Sequence, residues 1–206
     1  MYRIILASES PRRKEIMNQM NIPFDTMPAN VTEETIGNNP EDMVKALARL
    51  KAHDVADRIH ACSEDLIIIG ADTLVFHMGQ ALGKPKDRND AIEMLKSLSN
   101  DVHEVYTGVC IIIRRNNNDH NNKVKNDEIS FSVSTEVVVH PLTLEEIEDY
   151  VDTMEPLDKA GAYAIQGGFG IYIKEIHGDY YNVVGFPIAK IYEELLARGI
   201  NIKKIK

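Results

Sequence analysis

The sequence predicts an α/β protein, and two observations predict it. Four apolar runs dense in β-branched residues, at 2–7, 66–76, 102–115 and 128–140, read as strands. The segments between and after them carry helix-start signals: Ser10-Pro11, Asn39-Pro40, and Thr143 paired with Glu146. With 206 residues, 44% of them hydrophobic and 27% charged, the chain can bury a sizeable core and fits one large domain or two small lobes.

The first strand, 2–7, feeds a helix over 11–20 with Ile16, Met17 and Met20 at core-facing spacing. Ser10 can accept a hydrogen bond from the first turn, and Pro11 suits the first helical position because it has no N–H to waste. Arg12 and Arg13 then sit where the helix dipole is already positive, an arrangement suited to an arriving phosphate. Asn21-Ile22-Pro23 breaks the helix, and 24–27 is extended. A polar connection over 28–39 carries Thr32, Glu33 and Glu34. The next helix runs from 40 to about 57, with Val44, Leu47 and Ala48 inward and Lys51 one turn after Leu47.

The run LIIIGADTLVF at 66–76 reads as a central strand interrupted by Gly70 and Asp72. An aspartate in so apolar a run must be partnered, metal-bound or at the lip of a cleft. Residues 77–80 form a tight turn, 81–82 a short return, and Gly83-Lys84-Pro85 leads into a helix over 89–98 with Ala91, Met94, Leu95 and Leu98 on its apolar face. The Asn-rich stretch 116–127 is a solvated hairpin tip between two long strands. Thr143 and Glu146 form a capping box for a helix to 152. The stretch 155–185 is dense in Gly, Asp, Tyr and Asn, which makes poor core and suits close backbone approach to a ligand. A last helix over 187–198 ends near Gly199.

The net charge of −9 argues against general binding to a nucleic-acid polymer. Cys62 and Cys110 match no zinc or redox spacing and read as buried or idle thiols in a reducing compartment, and the expected location is the cytoplasm. The apolar N-terminal run lacks a small-residue cleavage site, so no signal peptide is expected, and no apolar stretch is long enough to span a membrane.

The chemistry-bearing residues suit one task. Glu33, Glu34 and Asp72 are hard oxygen ligands for magnesium or manganese. Lys51 and Lys84 add phosphate partners to the arginines, and Tyr163 and Gln166 can frame or read a base. A triphosphate needs cations on its oxygens, a metal against developing charge, and a carboxylate to orient or deprotonate water.

Taken together, LASESPRRKEI, IIGADTLVF, LGKP, VHEVYTGV, STEV, EPLDKAGAYAIQG and GDYYNVVGFPI resemble the Maf family of nucleoside triphosphate pyrophosphatases, in order from residue 5 to about 190. The departures lie outside the motif residues: Glu9, Asn100 and Phe186 replace usual family residues, and the Asn-rich tip is long. The resemblance implies an inosine-triphosphatase-like fold, an elongated mixed sheet flanked by helices, with two lobes around a central cleft. It implies a homodimer and hydrolysis between the α- and β-phosphates with a divalent cation, Mg2+ or Mn2+. By motif, Asp72 would be the proton acceptor that activates water. Arg12, Arg13, Lys51 and Lys84 would hold phosphates, and Glu33 with Asp72 would bind the metal. Arg12, Thr73 and Gln166 match positions linked to substrate choice. GADT with AYAIQG resembles the branch acting on dTTP and UTP. The alternatives are a 7-methyl-GTP or other modified-nucleotide pyrophosphatase, or a nucleotide-responsive inhibitor of septum formation.

Overall fold

The structure, a computed structural model, describes residues 2–32, 39–59, 64–116 and 125–205. Seven strands form one mixed sheet: β1 (Tyr2–Leu6), β2 (Asp25–Thr26), β3 (Asp65–His77), β4 (Gln80–Leu82), β5 (Val102–Arg115), β6 (Lys125–Val139) and β7 (Ile173–His177). The order across it is β2-β1-β3-β5-β6-β7, with β4 paired to β3. The helices are α1 (Pro11–Gln19), α2 (Pro40–Arg58), α3 (Arg88–Leu98), α4 (Leu144–Asp152), α5 (Tyr180–Val184) and α6 (Ile188–Leu196). The chain divides into two compact units. One comprises 1–72, 108–132 and 185–206; the other comprises 73–107 and 133–184.

In the first unit β1 runs parallel to both β2 and β3, with Ile4 opposite Ile67 and Leu6 opposite Ile69. Parallel strands are covered on both faces, which is why 66–69 is uniformly apolar and wholly buried. Each such side chain contributes about 1.5–3 kcal/mol by leaving water. The helix α2 is capped by the Asn39 side chain, which accepts from Asp42 N–H at 2.8 Å. Its other end is closed by Arg114, which donates to Ile59 O at 2.7 Å and Ala56 O at 3.0 Å. Its inner face is Val44, Ala48, Ala52 and Val55, while Leu47, expected inside, is only half-buried. This face comes very close to the sheet: a Cβ on Gly70 would stand 2.4 Å from Ala48 O, and one on Gly108 2.3 Å from Val44 O. Both positions therefore exclude any side chain. Cys110 is buried beneath, where desolvation pushes its thiol up to about 12, so it is inert. Cys62 lies outside the described residues.

One expectation fails at α1. Pro11 does occupy the first turn, but the Ser10 hydroxyl makes no capping bond. Ser8 Oγ instead accepts the Ser10 N–H at 3.2 Å. The hydroxyl two residues upstream thus orders the turn before the helix begins.

In the second unit β3 turns back on β4 through Met78 and Gly79, both with positive φ (48° and 79°), the geometry of a tight hairpin. The Asp87 side chain caps α3, accepting from Asp90 N–H at 2.9 Å. The Thr143–Glu146 capping box starts α4 with both of its reciprocal bonds made. Leu95, Leu98, Val105, Ile147, Tyr150 and Phe169 share its core.

The stretch 155–185 holds more regular structure than its composition suggests, including β7 and α5. β7 pairs antiparallel with β6, Val137 opposite Ile176 and Val139 opposite Ile173, and one extra residue is accommodated between them. That bulge lets IKEIH turn two isoleucines three apart toward one face, so the run never shows the two-residue alternation of a strand. No described helix is long and apolar enough to cross a membrane.

Candidate functional site

In the first unit, the carboxyl end of β1 lies beside that of β3: Ala7 N–H donates to Ile69 O at 2.8 Å. Ligands of parallel sheets gather at this end of the strands. Three residues beyond Ile69, Asp72 Oδ1 is paired with Lys51 Nζ of α2 at 2.6 Å. Their side chains are only 13% and 12% exposed. The close fit of α2 against Gly70 is what brings Lys51, one turn past Leu47, onto the strand.

The two arginines of the Ser-Pro-Arg-Arg turn separate. Arg12, in the first turn of α1, is partly exposed. Arg13, expected beside it as a phosphate ligand, is turned into the fold and only 8% exposed. Its Nε donates to Gly185 O at 2.8 Å and its Nη1 to Ser8 Oγ at 3.0 Å. With donors on a buried carbonyl and a loop hydroxyl, this guanidinium ties the loop around Arg12 to the fold.

In the second unit, Thr73 Oγ1 lies 3.0 Å from Thr107 Oγ1. Thr107 donates to Asn182 O at 3.0 Å, and Asn182 Nδ2 donates to Val105 O and Thr135 Oγ1, both at 2.9 Å. Asn182 is fully buried, so this polar strut fixes α5 to β5 and β6. Lys84 is exposed just before Pro85, and Gln166 is exposed in a turn over 164–167.

Tyr163, expected to frame a base, belongs to the core instead. It is buried, its ring lies 4.9 Å from that of Phe169, and its hydroxyl is 2.7 Å from His103 Nε2. Burial pushes the Tyr163 pKa strongly upward, so the hydroxyl stays protonated. His103 is 2% exposed, and desolvation, with a smaller contribution from the nearby His77, lowers its pKa to about 4. Its Nδ1 has no hydrogen-bond partner among the described residues. Ser8, Gly185, His103 and Asn182 were missed by sequence reasoning, because each acts through a partner distant in the chain or through backbone.

Glu33 and Glu34, the expected metal ligands beside Asp72, lie outside the described residues. Among the described residues no three His, Cys, Asp or Glu side chains cluster. The Asp72 carboxylate is a hard oxygen donor of the type a divalent metal cation takes. Magnesium commonly takes one or two carboxylates and fills its shell with water and phosphate oxygens.

Fold and site together define an α/β protein with a carboxylate and basic side chains near the carboxyl ends of parallel strands. The family model described as "Maf-like protein" matches residues 3–198. The chain belongs to the Maf family. It is 47% identical to the dTTP/UTP pyrophosphatase of Lachnoclostridium phytofermentans, covering 99% of both chains. It is 43% identical to the dTTP/UTP pyrophosphatase of Agathobacter rectalis, covering 98% of this chain and 100% of that one. Among solved structures, the Staphylococcus aureus Ham1 protein aligns over 95% of this chain and 99% of its own, at TM-score 0.43 and 15% identity.

Proposed function

We propose that this chain hydrolyses dTTP and UTP to the monophosphate and pyrophosphate, clearing surplus or modified pyrimidine nucleotides. The observation that carries the reading is near-full-length identity of 43–47% to relatives named for that activity. The Lys51–Asp72 pair supplies chemistry that fits it.

In the proposed mechanism Arg12, Lys51 and Lys84 hold the polyphosphate oxygens, while Arg13 orders the loop that presents Arg12. Asp72 accepts a proton from water as the water oxygen bonds to the α-phosphorus. The bond from that phosphorus to the bridging oxygen breaks, and pyrophosphate leaves with the electron pair. Positive charge fixed around the phosphates lowers the barrier as charge moves onto the leaving group. Asp72, with Glu33, would hold a magnesium or manganese ion, which when bound supplies further positive charge to the phosphates. Gln166 offers both a donor and an acceptor to the O4/N3–H edge of uracil or thymine. The two bases differ by a methyl worth about 1 kcal/mol, so little discrimination between them is expected. A homodimer in the cytoplasm completes the proposal.

The test is pyrophosphate release from a panel of nucleoside triphosphates, with magnesium and manganese compared. Preference for UTP and dTTP is the expected result. Preference for 7-methyl-GTP, or no release from any member, overturns it.

A further inference from the structure

Gln166 sits near the apex of a turn whose two shoulders are tied to one hydrogen-bond relay. Within the turn, Gly167 N–H donates to Ala164 O at 3.1 Å. On one shoulder, Ala164 N–H donates to the Tyr150 hydroxyl at 3.2 Å. Tyr150 O–H donates to Glu155 Oε1 at 3.3 Å, and on the other shoulder Gly168 N–H donates to Glu155 Oε2 at 3.1 Å. The direction of every bond is fixed, because backbone N–H can only donate, an ionised carboxylate can only accept, and a phenol has a single hydrogen. Bonds chained in this way polarise one another.

Two further features make the relay rigid. The Glu155 carboxylate occupies the space a side chain at 167 would need: a Cβ there would lie 1.6 Å from Oε1 and 2.4 Å from Cδ. Glycine at 167 is thus a condition for the carboxylate to reach the turn. The Tyr150 ring is 4% exposed and packed at 5.1 Å against Phe169. Burial, the main cause, pushes its pKa well above the usual tyrosine range, so it remains a donor.

We propose that Tyr150 and Glu155 are positioning residues for Gln166 and through it set the base selectivity of the site. The proposal rests on the reading that Gln166 meets the base edge. A primary amide can pair with a uracil edge or, turned over, with a cytosine edge. Selectivity therefore depends on holding its stem at one height and angle. Neither Tyr150 nor Glu155 needs to touch substrate to do this.

Tyr150→Phe removes the hydroxyl and keeps the ring; Glu155→Gln keeps the shape and can retain only one of its two accepted bonds. The kcat and KM of each variant for UTP and CTP are measured by pyrophosphate release, with thermal melting as a check of folding. The expected result is a fall of about fivefold in the UTP/CTP ratio of kcat/KM, carried by KM, with kcat for UTP within about twofold of wild type. Placed in a Gln166→Ala background, Tyr150→Phe should leave the ratio where Gln166→Ala alone puts it. A generally structural role would persist in that background, and that result overturns the proposal. An unchanged ratio in Glu155→Gln overturns it even if Tyr150→Phe fails to fold. A wild type inert toward UTP overturns the functional reading and this inference with it. A ratio that falls with Gln166→Ala but with neither positioning variant overturns the inference alone.

Discussion

Lys51 Nζ meets Asp72 Oδ1 at 2.6 Å, so in the resting protein the candidate general base already holds one of the candidate phosphate ligands. Lys51→Met leaves that carboxylate largely out of water without this ammonium. Breaking such a pair from one side costs about 3 kcal/mol. The urea midpoint should fall accordingly, and an unchanged midpoint would show the pair to be idle.

Asp72→Asn keeps the shape of the side chain and removes its ability to take a proton. Turnover of UTP should drop about 1,000-fold. Nucleotide binding, followed by calorimetry, should survive. Full activity in this variant defeats the assignment of Asp72.

Gly70→Ala tests how Lys51 is placed. The added methyl would stand 2.4 Å from Ala48 O and 2.7 Å from Ala52 N, both backbone atoms of α2 that cannot rotate away. The helix must lift, at a cost of about 2 kcal/mol. Because the same helix carries Lys51, activity should fall with stability, and a variant with normal melting and normal turnover would contradict the packing argument.

His103 predicts a pH dependence of stability. Its pKa is 6.5 when unperturbed and about 4 in the fold, where burial disfavours the charged ring. Between those values the unfolded chain takes up a proton that the folded chain refuses. The stability is therefore fully present above pH 6.5 and is lost as pH falls toward 4, by about 3 kcal/mol in all. His103→Gln should flatten the fall in urea midpoint between pH 6.5 and 4.5 relative to wild type. Parallel curves would assign the fall to other groups.

What could be read from the sequence was local. Asn39-Pro40 and the Thr143–Glu146 box announce their helices because a cap needs only partners three residues away, and both caps form as expected. The GADT aspartate stands out because a carboxylate in an apolar strand demands a partner, and the structure supplies Lys51 from 21 residues upstream. The bond from Arg13 to a backbone carbonyl 172 positions further on could not be read in advance, because it leaves no trace in side-chain pattern. Tyr163 was misread for a similar reason: its hydroxyl is satisfied by a histidine 60 residues earlier. β7 hid behind its bulge, since one extra residue breaks the alternation by which a strand is recognised. Within the stretch 155–185, whose composition suits close approach to a ligand, glycines 161 and 167 make room for Val75 and Glu155.

The bond from Arg13 to Gly185 also bears on how the protein is made. The first unit draws on three separate stretches of chain, the last beginning at 185. During synthesis the Ser-Pro-Arg-Arg loop lacks its anchor until residue 185 has been translated. Every residue of the second unit precedes that moment, so the loop assigned to the phosphates is completed only when the rest of the chain is available to fold.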